Sequence, residues 1–375
     1  MAITVGDVVT VLKEFAPLEL KESWDNPGLL VGNPSDTVTK IMTTLDVMMG
    51  TVDYAIAHGV DMIVSHHPLI MKNTVQNLRT DTYDGEMFLK LLSHHIAVFS
   101  AHTNLDSADG GVNDVMARLL GLQNTKGLVP TLEDRLYKIA VYVPESHADV
   151  VRQALGQSGA GYIGNYSDCS FSVGGTGRFK AHDGSHPFIG TVGEIATAKE
   201  ERIETIVPKS KLQAVVTAML AVHPYEEPAY DIYPLANKGH VCSMGRIGDW
   251  PDGPTKALTV LQKIKEAFQL DVLPYAGDEN TIVRKVALLG GGGAGFIKLA
   301  KDAGADLYLT GDVKYHDAQL AVKLGLVVAD GSHYGTEVPV VTDLQQRLQH
   351  VSKTKGWDIP VVVDPTKRDF FTRLK

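Results

Sequence analysis

The chain has 375 residues, of which 44% are hydrophobic and 21% are charged, and its formal net charge is -9. This composition is typical of soluble globular proteins with two or three domains, and it argues against disordered and fibrous classes. The negative charge, without any Lys/Arg-rich run, argues against nucleic acid or an anionic membrane as a partner.

Short β-branched runs alternate with helix-period segments from residue 1 to about 125, a pattern typical of βαβ units and a mostly parallel sheet. The segments "IMTTLDV", "DMIVS" and "IAVFSAH" predict strands, and "TVDYAIAHG", "YDGEMFLKLLSHH" and "GGVNDVMARLLGL" predict helices. The same alternation returns after about residue 280, with "KVALLG", "DLYLTG", "LVVAD" and "IPVVVD" as strands. The match of "AIAHGVDMIVSHH" to "LAKDAGADLYLTGD" fits a duplicated half-domain and convergent turn chemistry equally well.

The middle of the chain has a different pattern, in which strands are separated by glycine-rich turns. The segments "LYKIAVYVPE", "CSFSVGG", "GTVGEIA" and "ERIETIVP" predict strands, with helices after the first and the last of them. The resulting β-α-β-β-β-α-β order predicts a ferredoxin-like α+β insert over 131–236. We therefore expect a discontinuous α/β domain, formed by residues 1–130 and 237–375, that closes around this insert.

The two cysteines, Cys169 and Cys242, form no CxxC motif and cannot supply a disulfide framework. The N-terminal residues lack the basic and apolar regions of a signal peptide, and no apolar run is long enough for a membrane helix. We therefore expect a cytoplasmic protein without a membrane partner.

Histidines and carboxylates follow three predicted strands, where functional groups collect in an open parallel sheet. His66 and His67 end the strand "DMIVS", Asp106 follows "IAVFS", and His333 and Glu337 follow "LVVAD". Imidazole nitrogen and carboxylate oxygen are ligands for zinc, iron or manganese. Adjacent histidines diverge, so the pair predicts two ions about 3.5–4 Å apart. We assign His66 and Asp106 to one ion and His67 and His333 to the other, with Glu337 as the bridge. A structural role is the alternative for any one of these histidines.

The segment "LGGGGAGF" offers a rival interpretation. Gly290, Gly292 and Gly295 satisfy G-x-G-x-x-G, and Asp312 lies about 20 residues further on, as in a Rossmann dinucleotide site. Four consecutive glycines satisfy many patterns by accident, however, and such a loop can instead let the backbone approach an anion or a neighbouring loop. A nicotinamide-dependent oxidoreductase is therefore the less favoured hypothesis.

Five motifs together resemble the Nif-three-like dinuclear metal-centre family, whose members carry the name GTP cyclohydrolase 1 type 2 homolog. They are "WDNPGLLVG", "SHHPLI", "HTNLDSADGGVND", "LTGDVKYHDA" and "SHYGTEVP". The resemblance implies the same five ligands, a ring-shaped homohexamer, and a CutA/PII-like identity for the insert.

The resemblance and the metal ligands together predict a dinuclear metal-dependent hydrolase that acts on a nucleotide or a related small molecule. Two divalent ions per chain are expected, with zinc as the first candidate and iron, manganese or nickel as alternatives. His102 and His316 are candidates for proton transfer or for supporting the ligands. A non-catalytic metal-binding regulatory protein or metallochaperone is the alternative, and the sequence does not choose between the two.

Overall fold

The computed structural model describes residues 2–72, 74–75 and 77–372. The chain forms two compact units, which we call the metal unit (Met1–Leu132 with Cys242–Lys375) and the insert unit (Glu133–Val241). No helix within the described residues is both long and apolar enough to span a lipid bilayer.

The N-terminal segment of the metal unit alternates short strands with helices. The side chain of Thr4 accepts a hydrogen bond from the backbone of Asp7 and so caps the first helix. In chain order the elements are α1 (Val5–Phe15), β1 (Gly28–Val31), β2 (Ile41–Thr44), α2 (Met49–Ala57), β3 (Met62–Ser65), α3 (Tyr83–Ser93), β4 (Ala97–Ser100), α4 (Thr103–Ser107), α5 (Val112–Leu119) and β5 (Gln123–Asp134).

The insert unit is an antiparallel sheet with two helices. Its elements are β6 (Leu136–Pro144), α6 (Ala148–Gln157), β7 (Ser170–Lys180), β8 (Ile195–Pro208), α7 (Lys209–Val222) and β9 (Tyr230–Pro234). The strand order is β7-β8-β6-β9. A core that includes Ile139, Val151, Ile203 and Val215 packs both helices against the sheet.

The C-terminal segment of the metal unit again alternates strands and helices. Its elements are β10 (His240–Asp249), β11 (Thr255–Lys256), α8 (Ala257–Ala267), β12 (Tyr275–Ala276), β13 (Ile282–Val283), β14 (Lys285–Leu288), α9 (Ile297–Asp302), β15 (Leu307–Thr310), α10 (Tyr315–Lys323), β16 (Val327–Asp330), α11 (His333–Glu337), α12 (Pro339–Thr354) and β17 (Val361–Val363).

Two larger sheets and one shared core join the two segments of the metal unit. One sheet has the order β1-β4-β3-β2-β17 and the other has the order β12-β16-β15-β14-β10-β5. Strand β17 pairs in parallel with β2, with Val361 opposite Ile41, so the end of the chain completes the sheet of its beginning. A single core contains Phe99 of β4, Leu309 of β15 and Leu344 of α12. Strands β2, β3, β4 and β15 are buried at every position, as expected for parallel strands covered on both faces.

The structure differs from the sequence prediction in the middle strands of the insert unit. The segments "GTVGEIA" and "ERIETIVP" do not form separate strands, because the strand β8 runs without a break from Ile195 to Pro208. Its pairing with β7 is continuous from Lys180 opposite Ile195 to Ser170 opposite Thr205. Gly190 and Gly193 have positive φ in the connection that precedes β8, so the glycines mark the turn and not an additional strand boundary. The order of this unit is therefore βαββαβ.

An ion pair between α5 and β10 links the two segments of the metal unit. Arg246 donates from Nε and Nη2 to the two carboxylate oxygens of Asp114, at 2.6 Å each. The guanidinium is almost fully buried, and its Nη1 donates to the carbonyl oxygens of Ser243 and Gly245. Removing the carboxylate would leave the buried cation with only the more distant carboxylate of Asp109, 3.8 Å from its Nη2.

We expect Asp114→Ala to lower the free energy of unfolding of the metal unit by about 3 kcal/mol. Urea unfolding followed by tryptophan fluorescence measures this unit alone, because all three tryptophans, Trp24, Trp250 and Trp357, belong to it. The matched control is Asp302→Ala, whose exposed pair with Lys298 should contribute less than about 1 kcal/mol. Equal losses in the two variants would contradict a role for the buried pair.

Candidate metal centre

Three strand ends of the metal unit place histidine and carboxylate side chains in one cluster. His66 and His67 follow β3 directly, and their backbone amides donate to the carbonyl oxygens of Thr44 and Leu45, which prolongs the parallel pairing with β2. The two rings therefore leave the strand end in different directions, with centroids 5.1 Å apart and planes at 41°. His66 is fully buried and His67 is partly exposed.

The other members of the cluster lie on two short helices or directly before one of them. His102 precedes α4, which carries Asp106, and its ring centroid is 5.3 Å from that of His66. Helix α11 carries His333 and Glu337 four residues apart, so both side chains lie on the same face. The ring of His333 has its centroid 5.4 Å from that of His67.

The buried carboxylate of Glu337 lies between the histidines. Its Oε1 is 3.6 Å from Nε2 of His66, whereas its Oε2 is 2.9 Å from Nε2 of His67 and 3.3 Å from Nε2 of His333. Nε2 of His66 is also 3.7 Å from Oδ1 of Asp106. One carboxylate oxygen thus faces His66, and the other faces His67 and His333.

Each imidazole of the cluster is held through Nδ1, which leaves Nε2 available to a ligand. Nδ1 contacts the carbonyl oxygen of Ala101 at 2.8 Å for His66, Asp46 at 2.7 Å for His67, Asp25 at 2.9 Å for His102 and Asp312 at 2.7 Å for His333. A carboxylate or carbonyl partner of this kind fixes the tautomer and orientation of a metal-binding histidine.

Two buried polar atoms at the centre of the cluster have no hydrogen-bond partner among the described residues. They are Nε2 of His66 and Oδ1 of Asp106. Leaving such groups unpaired costs about 1–3 kcal/mol each, so their position next to Glu337 calls for a ligand. Two groups could hold a metal ion, since their ligand atoms lie within 4.8 Å of one another: His66, His67 and His102, and His67, His333 and Glu337.

The glycine-rich loop makes room for Glu337. A Cβ atom on Gly291, whose φ is +66°, would lie 2.2 Å from Oε1 of Glu337 and 3.3 Å from the His333 ring. The backbone amide of Gly291 also donates to Oγ1 of Thr336. Asp312, the acidic residue of the dinucleotide hypothesis, instead holds the His333 ring. In this structure the loop and Asp312 therefore support the cluster.

The charges of the cluster are strongly coupled. Burial alone would lower the pKa of His67. Its hydrogen bonds with Asp46 and Glu337 outweigh this effect and raise the pKa of His67 to about 10. The pKa of Glu337 lies well below its usual value, because the surrounding imidazoles outweigh the effect of burial. The hydrogen bond with Glu337 raises the pKa of His333 to about 9. Burial raises the pKa of Asp106 to about 7. A metal ion that binds these residues would displace protons from them.

The structure places all five predicted ligands and one of the two further candidates in one cluster, although among the described residues Asp106 is in neither of the two groups and approaches only Nε2 of His66, at 3.7 Å. His102 belongs to the cluster, but His316 lies exposed on α10, contacts Tyr315 and is in neither metal-binding group. Asp25 and Asp46 were not predicted from the sequence as partners of the cluster, and Asp312 was assigned to a dinucleotide site instead. Asp46 follows the end of β2, so it could have been found by the same reasoning that selected polar residues after the other predicted strands. Asp25 precedes β1 and gave no signal of this kind.

A cavity of about 470 Å³ opens beside the cluster and is lined by both His67 and His333. Four aspartates, Asp46, Asp312, Asp330 and Asp369, contribute to its wall. Tyr334, Phe370 and Phe371 supply aromatic surface. This volume is within the range of sites for small molecules.

The cluster and the α/β scaffold define a protein with a histidine and carboxylate centre that could hold metal, formed at strand ends of a discontinuous unit. The chain belongs to the family Duf34/NIF3 (NGG1p interacting factor 3), whose model matches residues 3–369.

Comparisons with known proteins extend over the whole chain. A protein of Bacillus subtilis named GTP cyclohydrolase 1 type 2 homolog is 41% identical over 367 residues, 98% of each chain. A protein of the same name from Halalkalibacterium halodurans is 40% identical over 365 residues, 97% of each chain. Among solved structures, the Bacillus cereus protein related to NIF3 is 38% identical, covers 100% of both chains and has a TM-score of 0.93.

We expect Asp46→Asn to weaken metal binding by about 10- to 100-fold, because the His67 ring loses the carboxylate that orients it. Competition titration against a chromophoric chelator measures the affinity. The control is Asp53→Asn in the following helix, whose carboxylate pairs with Lys90 instead. Unchanged affinity in Asp46→Asn would mean that this carboxylate does not support a ligand.

Proposed function

We propose that the protein is a dinuclear metal-dependent hydrolase of a nucleotide or a related small molecule, similar to the proteins named GTP cyclohydrolase 1 type 2 homolog. The observation that carries this proposal is the position of Glu337, whose two oxygens face different imidazole groups 2.9 to 3.6 Å away. A carboxylate with this arrangement suits a bridge between two cations. We assign His66 and Asp106 to one ion and His67 and His333 to the other.

The donor set fits divalent transition metals. Neutral imidazole and ionised carboxylate suit zinc, iron, manganese and nickel, and we propose two ions per chain with zinc as the first candidate. A pair of such ions would supply Lewis acidity and would lower the pKa of bound water towards neutrality. His102 has its Nδ1 held by Asp25, so its Nε2 is free to act as a further ligand or to move a proton.

The cavity beside the cluster supports a substrate with a flat ring. Its aromatic wall, Tyr334, Phe370 and Phe371, suits a heterocycle, whereas its aspartates would repel phosphate groups. A neighbouring cavity of about 460 Å³ shares Asp46 and Phe370 with it and is lined by Lys367 and Arg368. A nucleotide could place its base near the cluster and its phosphates near these two cations.

We also propose that the insert unit is a ferredoxin-like domain of the PII/CutA type and that the chain assembles into a homohexamer. The βαββαβ order and the strand order β7-β8-β6-β9 support the first proposal. The family resemblance supports the second, and light scattering after size-exclusion chromatography tests it.

We expect Glu337→Gln to lower the metal content from about two ions per chain to one or fewer, and to abolish metal-dependent turnover of nucleotides. Elemental analysis gives the content, and chromatography of nucleotide mixtures incubated with each restored metal gives the turnover. The control is Glu266→Gln on an exposed position of α8, which should change neither. Stoichiometric metal without turnover of any nucleotide would favour the metallochaperone or regulatory alternative.

The double variant Lys367→Ala with Arg368→Ala should raise KM for a nucleoside triphosphate about tenfold or more, with kcat and metal content unchanged, because it removes charges that would contact phosphate. Replacing Lys353 and Lys355, exposed residues at the end of α12, makes the same change in net charge and should leave KM unaltered. A KM that rises equally in both double variants would show only a general effect of charge.

A further inference from the structure

The insert unit contains a cavity of about 830 Å³, and the residues that line it belong to this unit. Residues of β7, β8 and β6 form one side of it, and the segments 181–188 and 225–229 form the other. The segments are joined where the backbone amide of His186 donates to the carboxylate of Glu226, at 2.7 Å. The cavity has a volume typical of a site for a small molecule.

A buried carboxylate lines this cavity. Glu200 is only 8% exposed, and its Oε1 accepts a hydrogen bond from the hydroxyl of Tyr225 at 2.8 Å. Gly177 lies against the carboxylate, since a Cβ atom there would be 2.2 Å from Oε2 of Glu200. The absence of a side chain at Gly177 therefore makes space for the charged group.

The lysine and arginine side chains of β6, β8 and α6 that form ion pairs do so with carboxylates other than Glu200. Lys138 and Arg202 form ion pairs with Glu204, and Arg152 pairs with Glu201. Arg178 and Lys180 line the cavity from exposed positions. Among the described residues no cation forms an ion pair with Glu200. Because buried charges are normally paired, this carboxylate is suited to a cation that enters the cavity.

Aromatic rings surround the carboxylate. The Tyr225 ring contacts those of Phe179 and Phe188, with centroids 5.6 Å and 6.3 Å apart, and Tyr142 also lines the cavity. The faces of such rings attract organic cations, and aromatic cages are used to bind alkylated ammonium groups. A divalent metal ion would instead need several oxygen ligands, and the other carboxylates of the wall, Asp183, Glu226 and Glu227, are exposed.

We propose that this cavity binds a small organic cation with an alkylated ammonium head, whose charge contacts Glu200 and whose alkyl groups contact the rings of Phe179, Phe188 and Tyr225. This site is independent of the metal centre and of the hydrolase proposal. It would give the insert unit a ligand of its own.

The test is a calorimetric titration of the full chain with choline and with 3,3-dimethylbutan-1-ol. The second compound is an uncharged isostere of choline in which carbon replaces the nitrogen. We expect choline to bind in the millimolar range and about tenfold or more tighter than its isostere. Glu200→Gln keeps the size of the side chain and an acceptor for Tyr225, and it should remove this preference without changing the metal content.

A second variant and its control guard against effects on folding. Phe188 is 51% exposed at the edge of the cavity, so Phe188→Ala should weaken choline binding without unfolding the unit. The control Phe171→Ala changes a ring that is 68% exposed and does not line the cavity, and it should bind choline normally. The proposal is overturned if choline does not bind, if the isostere binds equally well, or if Glu200→Gln binds choline as tightly as the unchanged protein.

Discussion

Glu337 is a buried carboxylate that three imidazoles approach, two from the end of β3 and one from its own helix α11, and the folding of the metal unit must provide for its charge. Its oxygens lie 2.9 to 3.6 Å from the Nε2 atoms of His66, His67 and His333. A buried carboxylate is tolerated only where positive groups or a metal compensate it. The histidines come from β3 and α11, which belong to opposite ends of the sequence. His333 lies on the same helix as Glu337, whereas His66 and His67 come from the other segment, so all three imidazoles surround the carboxylate only when both segments have folded together.

The scaffold meets this requirement by joining its two segments in several independent ways. Strand β17 pairs with β2, one core contains residues of both segments, and the buried Arg246 pairs with Asp114. Because these contacts lie on rigid strands and helices, the cluster can hold its side chains in fixed positions. The glycine-rich loop adds the space, since any side chain at Gly291 would meet the Glu337 carboxylate.

The sequence predicted those parts of the fold and of the site that depend on local patterns. The strand ends that carry His66, His67, Asp106, His333 and Glu337 were visible, because buried strands leave apolar runs and polar side chains follow them. The family relationship was also predicted, and the family model confirms it. The separation of "GTVGEIA" from the strand that follows was wrong, because glycine marks both turns and strand interruptions in a sequence. The pairing of β17 with β2 left no local signal.

The partners of the imidazoles show most clearly what a single sequence leaves undetermined. Asp25, Asp46 and Asp312 each contact one Nδ1 atom, although they are 77, 21 and 21 residues from their histidines in the chain. Such contacts depend on how elements pack in three dimensions and not on any spacing, so Asp312 could be mistaken for the acid of a dinucleotide site. The aromatic cavity around Glu200 is a second example, because its residues come from three strands and two connections. A buried carboxylate that forms no ion pair becomes visible only when the whole environment of the side chain is known.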